Sequence, residues 1–558
     1  MRNVCPVSAP LTRKDLTRHR RTASARLRAV LAYGVWALFC AGCVGLQMPA
    51  SQPQQANNTA ATVEESAISV LQHQMSTGEL SAQVLAQHYL DRIEALDRSG
   101  PGLNSVIEIN PDALAIAAQL DAERKANRLR GPLHGISVLI KDNIDTADAM
   151  LTTAGSLALM DSRADDDAYV VKQLRRAGAV ILGKTNLSEW ANFRGRGSTG
   201  GWSARGGQTR NPYLLDRSPS GSSSGSAVAV AAGLVSVAIG TETNGSIVSP
   251  ASVNGIVGIK PTLGLVSRTG IIPLAAGQDT AGPMARNVAD AAALLTVLAG
   301  HDPADAATDL IKQQAPIDYT LHLNPDSLKG ARIGILRKSS GFQDGVDALF
   351  EVALAALRLQ GAVIVDPVEI VTPATLAGDA SLIMRYEFKD GITRYLARRR
   401  GPGPKSLAEL IAFNESQSTR EMPYFGQSYF LQSQAMGPLT DSAYLEASKR
   451  ARETTGPQGI DASLQKDQLD ALIAPTRGPA GLIDRVLGDY SIGGSVGFAP
   501  AVAGYPHITV PMGQVHGLPV GLSFVGTRLS EAKLIGYAYA FEQASRARLA
   551  PGFKKSLE

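Results

Sequence analysis

Residues 218–258 read SPSGSSSGSAVAVAAGLVSVAIGTETNGSIVSPASVNGIVG, and the fold turns on how this stretch is parsed. A loop of Gly and Ser runs into small apolar residues, which predict a helix over Ser226–Ala232. Leu234–Ile239 follows as a short, β-branched strand, and Gly240–Val248 forms a second loop of Gly and hydroxyl residues. Two such loops, one before a helix and one after a strand, stand where open α/β sheets place their sites.

The same alternation continues outward in both directions. Ile136–Ile140 is an almost uninterrupted apolar run, as expected of a strand buried on both faces, and Lys141 terminates it. Ala168–Ala177 reads as a helix ended by Gly178, followed by a strand over Ala179–Leu182 and then Gly183-Lys184-Thr185-Asn186. Leu85, Tyr89, Ile93 and Leu96 recur at helical spacing behind Ser81, a side chain suited to an N-cap. Further strands are expected within Leu469–Ile473 and His507–Val510. Residues 370–456 are more charged and helical, over Met384–Arg400 and Ser406–Phe413, with Gly401-Pro-Gly-Pro404 as a break. The reading is one large α/β domain over 63–558, with a helical elaboration at about 370–456.

The chain has 558 residues, 44% hydrophobic and 19% charged, a balance with enough apolar material for a large core. Its net charge of +4 is unevenly placed. Residues 1–43 carry eight basic side chains against Asp15 alone, so the remainder is slightly acidic and lacks the footprint of a nucleic-acid binder. All three cysteines, Cys5, Cys40 and Cys43, fall in that leader, which leaves the body no disulfide, thiolate metal site or cysteine nucleophile. Ala29–Gly42 is uncharged and mostly apolar behind a basic segment, the pattern of an export signal. Phe39-Cys40-Ala41-Gly42-Cys43 resembles a lipobox, making Cys43 the expected lipidation point and the membrane the expected place of attachment. A cleaved soluble signal and an uncleaved anchor are the alternatives. Residues 44–62 are uncharged and polar, and read as a flexible tether.

Gly-rich loops at helix starts also bind phosphate, but neither GxxxxGK[ST] nor GxGxxG occurs in the 218–258 segment. GxSxG occurs twice, at Gly221–Gly225 and Gly493–Gly497. A nucleophile elbow needs a strand directly before its serine, whereas Asn211–Ser220 contains two prolines. None of the eight histidines has catalytic context, and His134 and His507 read as structural.

Several motifs in order carry a resemblance to a known family. They are Gly131-Pro-Leu-His-Gly135 with Lys141-Asp142-Asn143, Gly183–Glu189, Gly221-Ser-Ser-Ser-Gly225, Gly240–Ile247, Ala474-Pro-Thr476 and Gly517-Leu-Pro-Val-Gly521. Over roughly residues 65–545 the chain resembles the amidase signature family, serine hydrolases that cleave amides without a histidine. The stretches LGKTNLSEWANFRG and SARGGQTRNPY are most similar to its bacterial peptide amidase branch, which deamidates peptide C-termini. The resemblance implies a large mixed sheet covered by helices on both faces. It also implies Ser246 as nucleophile, Ser222 as a bridging serine in a cis peptide, and Lys141 as base.

Those residue types suit the chemistry. A serine hydroxyl needs a base within hydrogen-bond reach, and lysine serves only when burial keeps it neutral. Lys184 also ends a predicted strand and competes by burial alone; the resemblance decides for Lys141. The backbone amides of Thr243, Asn244, Gly245 and Ser246 form a run able to converge on an oxyanion. Ser223 and Ser224 stand ready either to orient Ser222 through hydrogen bonds or merely to cap the helix. Trp190, Phe193 and Trp202 are candidates for an acyl pocket, with packing as the plainer role. Around the nucleophile the usual family residues Asp, Gly and Arg are replaced by Glu242, Asn244 and Val248, which points to a rebuilt charge pair.

The expectation is an exported amidase acting on small or peptide carboxamides, with no metal or organic cofactor and no nucleic-acid partner. The amide-hydrolysing component of a tRNA amidotransferase and a non-catalytic peptide-binding lipoprotein are the alternatives.

Overall fold

The computed structural model describes residues 63–490 and 493–557. The segments read as a leader, a lipobox ending at Cys43 and a tether all lie outside the described residues. Among the described residues no helix is long and apolar enough to cross a membrane.

Eleven strands form one mixed sheet. In chain order they are β1 (Val106–Ile109), β2 (Ser137–Lys141), β3 (Val180–Thr185), β4 (Val237–Glu242), β5 (Val257–Lys260) and β6 (Thr280–Ala285), then β7 (Arg332–Ile335), β8 (Val363–Val365), β9 (Ala471–Pro475), β10 (His507–Val515) and β11 (Leu518–Val525). Their order across the sheet is β1-β3-β2-β4-β6-β5-β10-β11-β9-β7-β8. Within it β3, β2 and β4 are mutually parallel neighbours, with Lys141 opposite Thr185 and Ile140 opposite Ile239. Their carboxyl ends therefore share one edge, which carries Lys141, Lys184, Thr241 and Glu242. Antiparallel β6 begins there too, pairing Thr280 with Glu242.

Every residue of β2, β3, β4, β6, β9 and β11 is buried, so both faces of the sheet are covered there. The helix Ser224–Ala231 is buried along its whole length and starts two residues earlier than its apolar run predicts. Its Gly and Ala residues allow close approach, and a Cβ at Gly225 would collide with the carbonyl oxygens of Ser105 and Asn186.

Residues 370–456 hold the helices Leu376–Arg398, Leu407–Ser416 and Ser442–Thr455 with two shorter ones. Phe388, Ile392, Leu396, Leu410 and Phe430 pack into a cluster with Trp190, Phe193, Ile272 and Leu274. A buried arginine fastens the same contact: Arg194 Nη1 donates to Glu189 at 2.5 Å and to the Glu421 carbonyl, and Nη2 donates to the Phe425 carbonyl at 3.0 Å. Its guanidinium also lies over the Phe425 ring, 4.0 Å from the centroid.

Candidate active site

Lys141 is fully buried, and its Nζ lies 2.7 Å from Ser222 Oγ, 2.8 Å from Thr241 Oγ1 and 3.3 Å from the Thr241 carbonyl. Burial pulls the ammonium down from the ordinary lysine value to about 7, against the opposing pull of the Asp279 and Glu242 carboxylates. Asn143 Nδ2 donates to Thr241 Oγ1 at 3.0 Å, so that one hydroxyl gathers both side chains.

Lys184, the rival base, is equally buried and also held below the usual lysine range by desolvation. Its Nζ donates to the Ile144 carbonyl at 2.5 Å and to Thr152 Oγ1 at 2.8 Å. It fastens a loop, and of the two lysines only Lys141 meets a serine hydroxyl of the Gly-Ser loop.

Ser222 is buried, and the Gly221–Ser222 peptide is cis. The loop around it is tied down through its backbone. Ser188 N–H donates to the Ser222 carbonyl at 3.1 Å. Ser223 Oγ donates to the Thr241 carbonyl at 3.0 Å and accepts from Thr241 N–H at 3.1 Å. Ser224 Oγ donates to the Ser220 carbonyl at 2.6 Å. Ser223 and Ser224 thus each hold backbone on either side of Ser222, and Ser223 forms no side-chain cap on the helix. Ser246 is half-buried on the facing turn, and its carbonyl accepts from Ser223 N–H at 3.1 Å, which joins the two serine segments.

The turn before Ser246 differs from expectation in one donor. Gly245 N–H donates to Glu242 Oε1 at 2.9 Å, while Ile247 and Val248 N–H donate to Oε2 at 2.7 and 3.1 Å. Gly245 is thereby committed to shaping the turn and is removed from the candidate oxyanion donors. Among the described residues the amides of Thr243, Asn244 and Ser246 have no partner. Among the described residues Glu242 forms no ion pair, and three amides take the place of a cation. Thr243 Oγ1 donates to Asp279 at 2.6 Å, and the same carboxylate accepts from Leu274 and Ala275 N–H at 2.8 and 2.9 Å. Burial pushes the Asp279 carboxyl up to about 6.

Trp190, Phe193 and Trp202 are buried in aromatic packing, with ring centroids 5.9 Å from Phe430, 5.3 Å from Tyr429 and 5.4 Å from Phe425 respectively. They join the helical layer to the sheet. His507 donates or accepts at Ser523 Oγ over 2.6 Å, and burial drives it down to about 3, so it is neutral. Sequence reasoning missed Thr241, Asn143 and Asp279. The first two sit inside quoted motifs, and Thr241 precedes Glu242 on a strand whose alternate side chains face opposite ways. Asp279 carries no local signal, since its role depends on β6 lying beside β4.

A buried lysine against a serine hydroxyl at the carboxyl edge of a mixed sheet, beside a turn of unpartnered amides, belongs to the amide-hydrolysing enzymes of the α/β class. The chain belongs to the amidase signature family, whose Amidase model matches residues 85–535. It is similar to the peptide amidase of Stenotrophomonas maltophilia, with 57% identity and a TM-score of 0.85 over 88% of this chain and 99% of that one. A probable amidase of Arabidopsis thaliana is 40% identical over 505 residues, which is 88% of this chain and 92% of the plant protein. A glutamyl-tRNA(Gln) amidotransferase component of Caldanaerobacter subterraneus is 34% identical over 483 residues, 84% of this chain and 93% of that protein.

Proposed function

We propose that this amidase hydrolyses the C-terminal carboxamide of peptides through Ser246, Ser222 and Lys141. The observation that carries the mechanism is the 2.7 Å contact between a fully buried lysine and Ser222 Oγ. The peptide substrate class rests on the 57% identity to a peptide amidase over 88% of the chain.

In this reading Ser246 Oγ attacks the amide carbonyl carbon and passes its proton to Ser222, whose own proton goes to neutral Lys141. The oxyanion accepts from the amides of Thr243, Asn244 and Ser246. Collapse breaks the C–N bond, and the proton returns from Lys141 through Ser222 to the departing nitrogen, which leaves as ammonia. Water then attacks the acyl-enzyme ester by the same relay and releases the peptide acid.

The test is ammonia release from a C-terminally amidated dipeptide by the full chain and by Ser246→Ala. Release by the parent alone is expected. Release by Ser246→Ala overturns the nucleophile. Silence from both, with a fluorophosphonate still labelling the parent, keeps a reactive serine and discards peptide amides. The amidotransferase reading draws on the 34% identical relative, and stable co-purification with partner proteins would favour it.

Export and lipidation at Cys43 are part of the same proposal, supported by the basic, apolar and Cys-terminated leader. Metabolic labelling with a fatty acid should mark the parent and spare Cys43→Ser. An unlabelled parent in the cytosolic fraction overturns both.

A further inference from the structure

The two serine segments meet a third part of the chain through hydroxyls that the relay does not use. Arg477 lies just beyond β9, where Thr476 N–H donates to the Gly521 carbonyl at 2.8 Å and Thr476 Oγ1 lies 2.6 Å from Thr509 Oγ1. Its Nη1 donates to Ser220 Oγ and to Ser249 Oγ, each at 2.7 Å, and those two hydroxyls are 3.1 Å apart. Ser220 stands two residues before Ser222, and Ser249 three residues after Ser246. Each is in turn wired to its own segment. Ser220 sits at φ +60° with its carbonyl held by Ser224 Oγ, and Ser249 N–H donates to the Gly245 carbonyl at 2.9 Å.

The geometry points to Arg477 as a positioning residue for amide hydrolysis: beside the backbone bond from Ser223 N–H to the Ser246 carbonyl, one guanidinium nitrogen gives the Ser222 loop and the Ser246 turn a second tie through Ser220 and Ser249. It rests on the roles proposed above for Ser222 and Ser246. The argument is mechanical. The loop and the turn flank different elements, and a proton relay tolerates little misplacement, since a displacement of about 1 Å costs about a hundredfold in rate. Two neutral hydroxyls hold each other weakly, whereas a guanidinium donates a charge-assisted bond to each from a planar, rigid group. Asp489, whose charge acts on Arg477, is held by Gly200 N–H at 2.8 Å and Ser218 Oγ at 3.3 Å, and among the described residues Arg477 forms no ion pair. A lysine in its place is a flexible point charge without that planar, rigid group.

The test compares Arg477→Ala, Arg477→Lys, the Ser220→Ala/Ser249→Ala double variant and the triple variant. Each is measured for kcat and KM on the amidated dipeptide and for reactive sites by fluorophosphonate titration. Per titrated site, kcat of Arg477→Ala should fall about a hundredfold with KM changed by about threefold at most, and Arg477→Lys should fall between it and the parent. Millimolar guanidinium should restore part of the Arg477→Ala rate. The double variant should lose nearly as much, and the triple little more, because residues acting as one unit are non-additive. Wild-type kcat per titrated site in Arg477→Ala, with only Tm lowered, overturns the inference, as do additive losses. Should Arg477→Ala fail to fold, the double variant decides by its kcat. An active Ser246→Ala enzyme would instead overturn the underlying roles of the serines, a separate result.

Discussion

In the proposed relay, Lys141 makes the free enzyme's activity a titration curve. Because its folded value is about 7, well below ordinary lysine, the neutral form that can accept a proton prevails above neutrality and is lost as pH falls. The profile of kcat/KM should therefore rise with pH through about 7, with Asp279 near 6 titrating beneath it. Lys141→Ala should lose about a hundredfold or more and lose that limb, and a full rate at neutral pH would place the base elsewhere. Glu242 invites a second measurement. Glu242→Ala leaves three amides without their acceptor and should cost about 2–4 kcal/mol in urea unfolding, together with a fall in kcat. Unchanged kcat and unchanged stability would mean that the turn keeps its shape unaided. At this scale the sequence was legible where chemistry is local. Lys141, Ser222 and Ser246 stand in motifs, but the commitment of Gly245 to Glu242 requires the turn's actual path, and no residue type announces it.

Among the elements, the helical layer is attached to the sheet by Arg194, whose side chain and the carboxylates of Glu189 and Glu421 are all fully buried. Removing the cation alone leaves buried carboxylates uncompensated, so Arg194→Met should destabilise by about 3–5 kcal/mol in chemical denaturation. A cost under about 1 kcal/mol would show that the aromatic packing around Phe388 and Phe430 suffices. Strands proved legible in proportion to their apolar, β-branched content. Ser137–Lys141 and Val180–Thr185 were found within a residue or three, whereas β6, with sequence TAGPMA, was not. Its Gly, Pro and Ala residues argue against a strand, and burial on both faces removes any alternation that would betray one.

Over the whole molecule, β11, the last strand in the sequence, is an interior strand of the sheet, bonded to β10 on one side and β9 on the other. Deleting residues 518–558 should therefore open the sheet at its middle. The expected product is insoluble or fails to label with a fluorophosphonate; soluble, labelled protein would mean that the sheet tolerates the gap. This topology was invisible beforehand because strand order follows from long-range pairing, which no local pattern encodes. It also sets a timetable. While the chain is being synthesised, β9 and β10 wait for β11, which follows both in the sequence and bonds between them, so the sheet cannot close at its middle until that strand has left the ribosome.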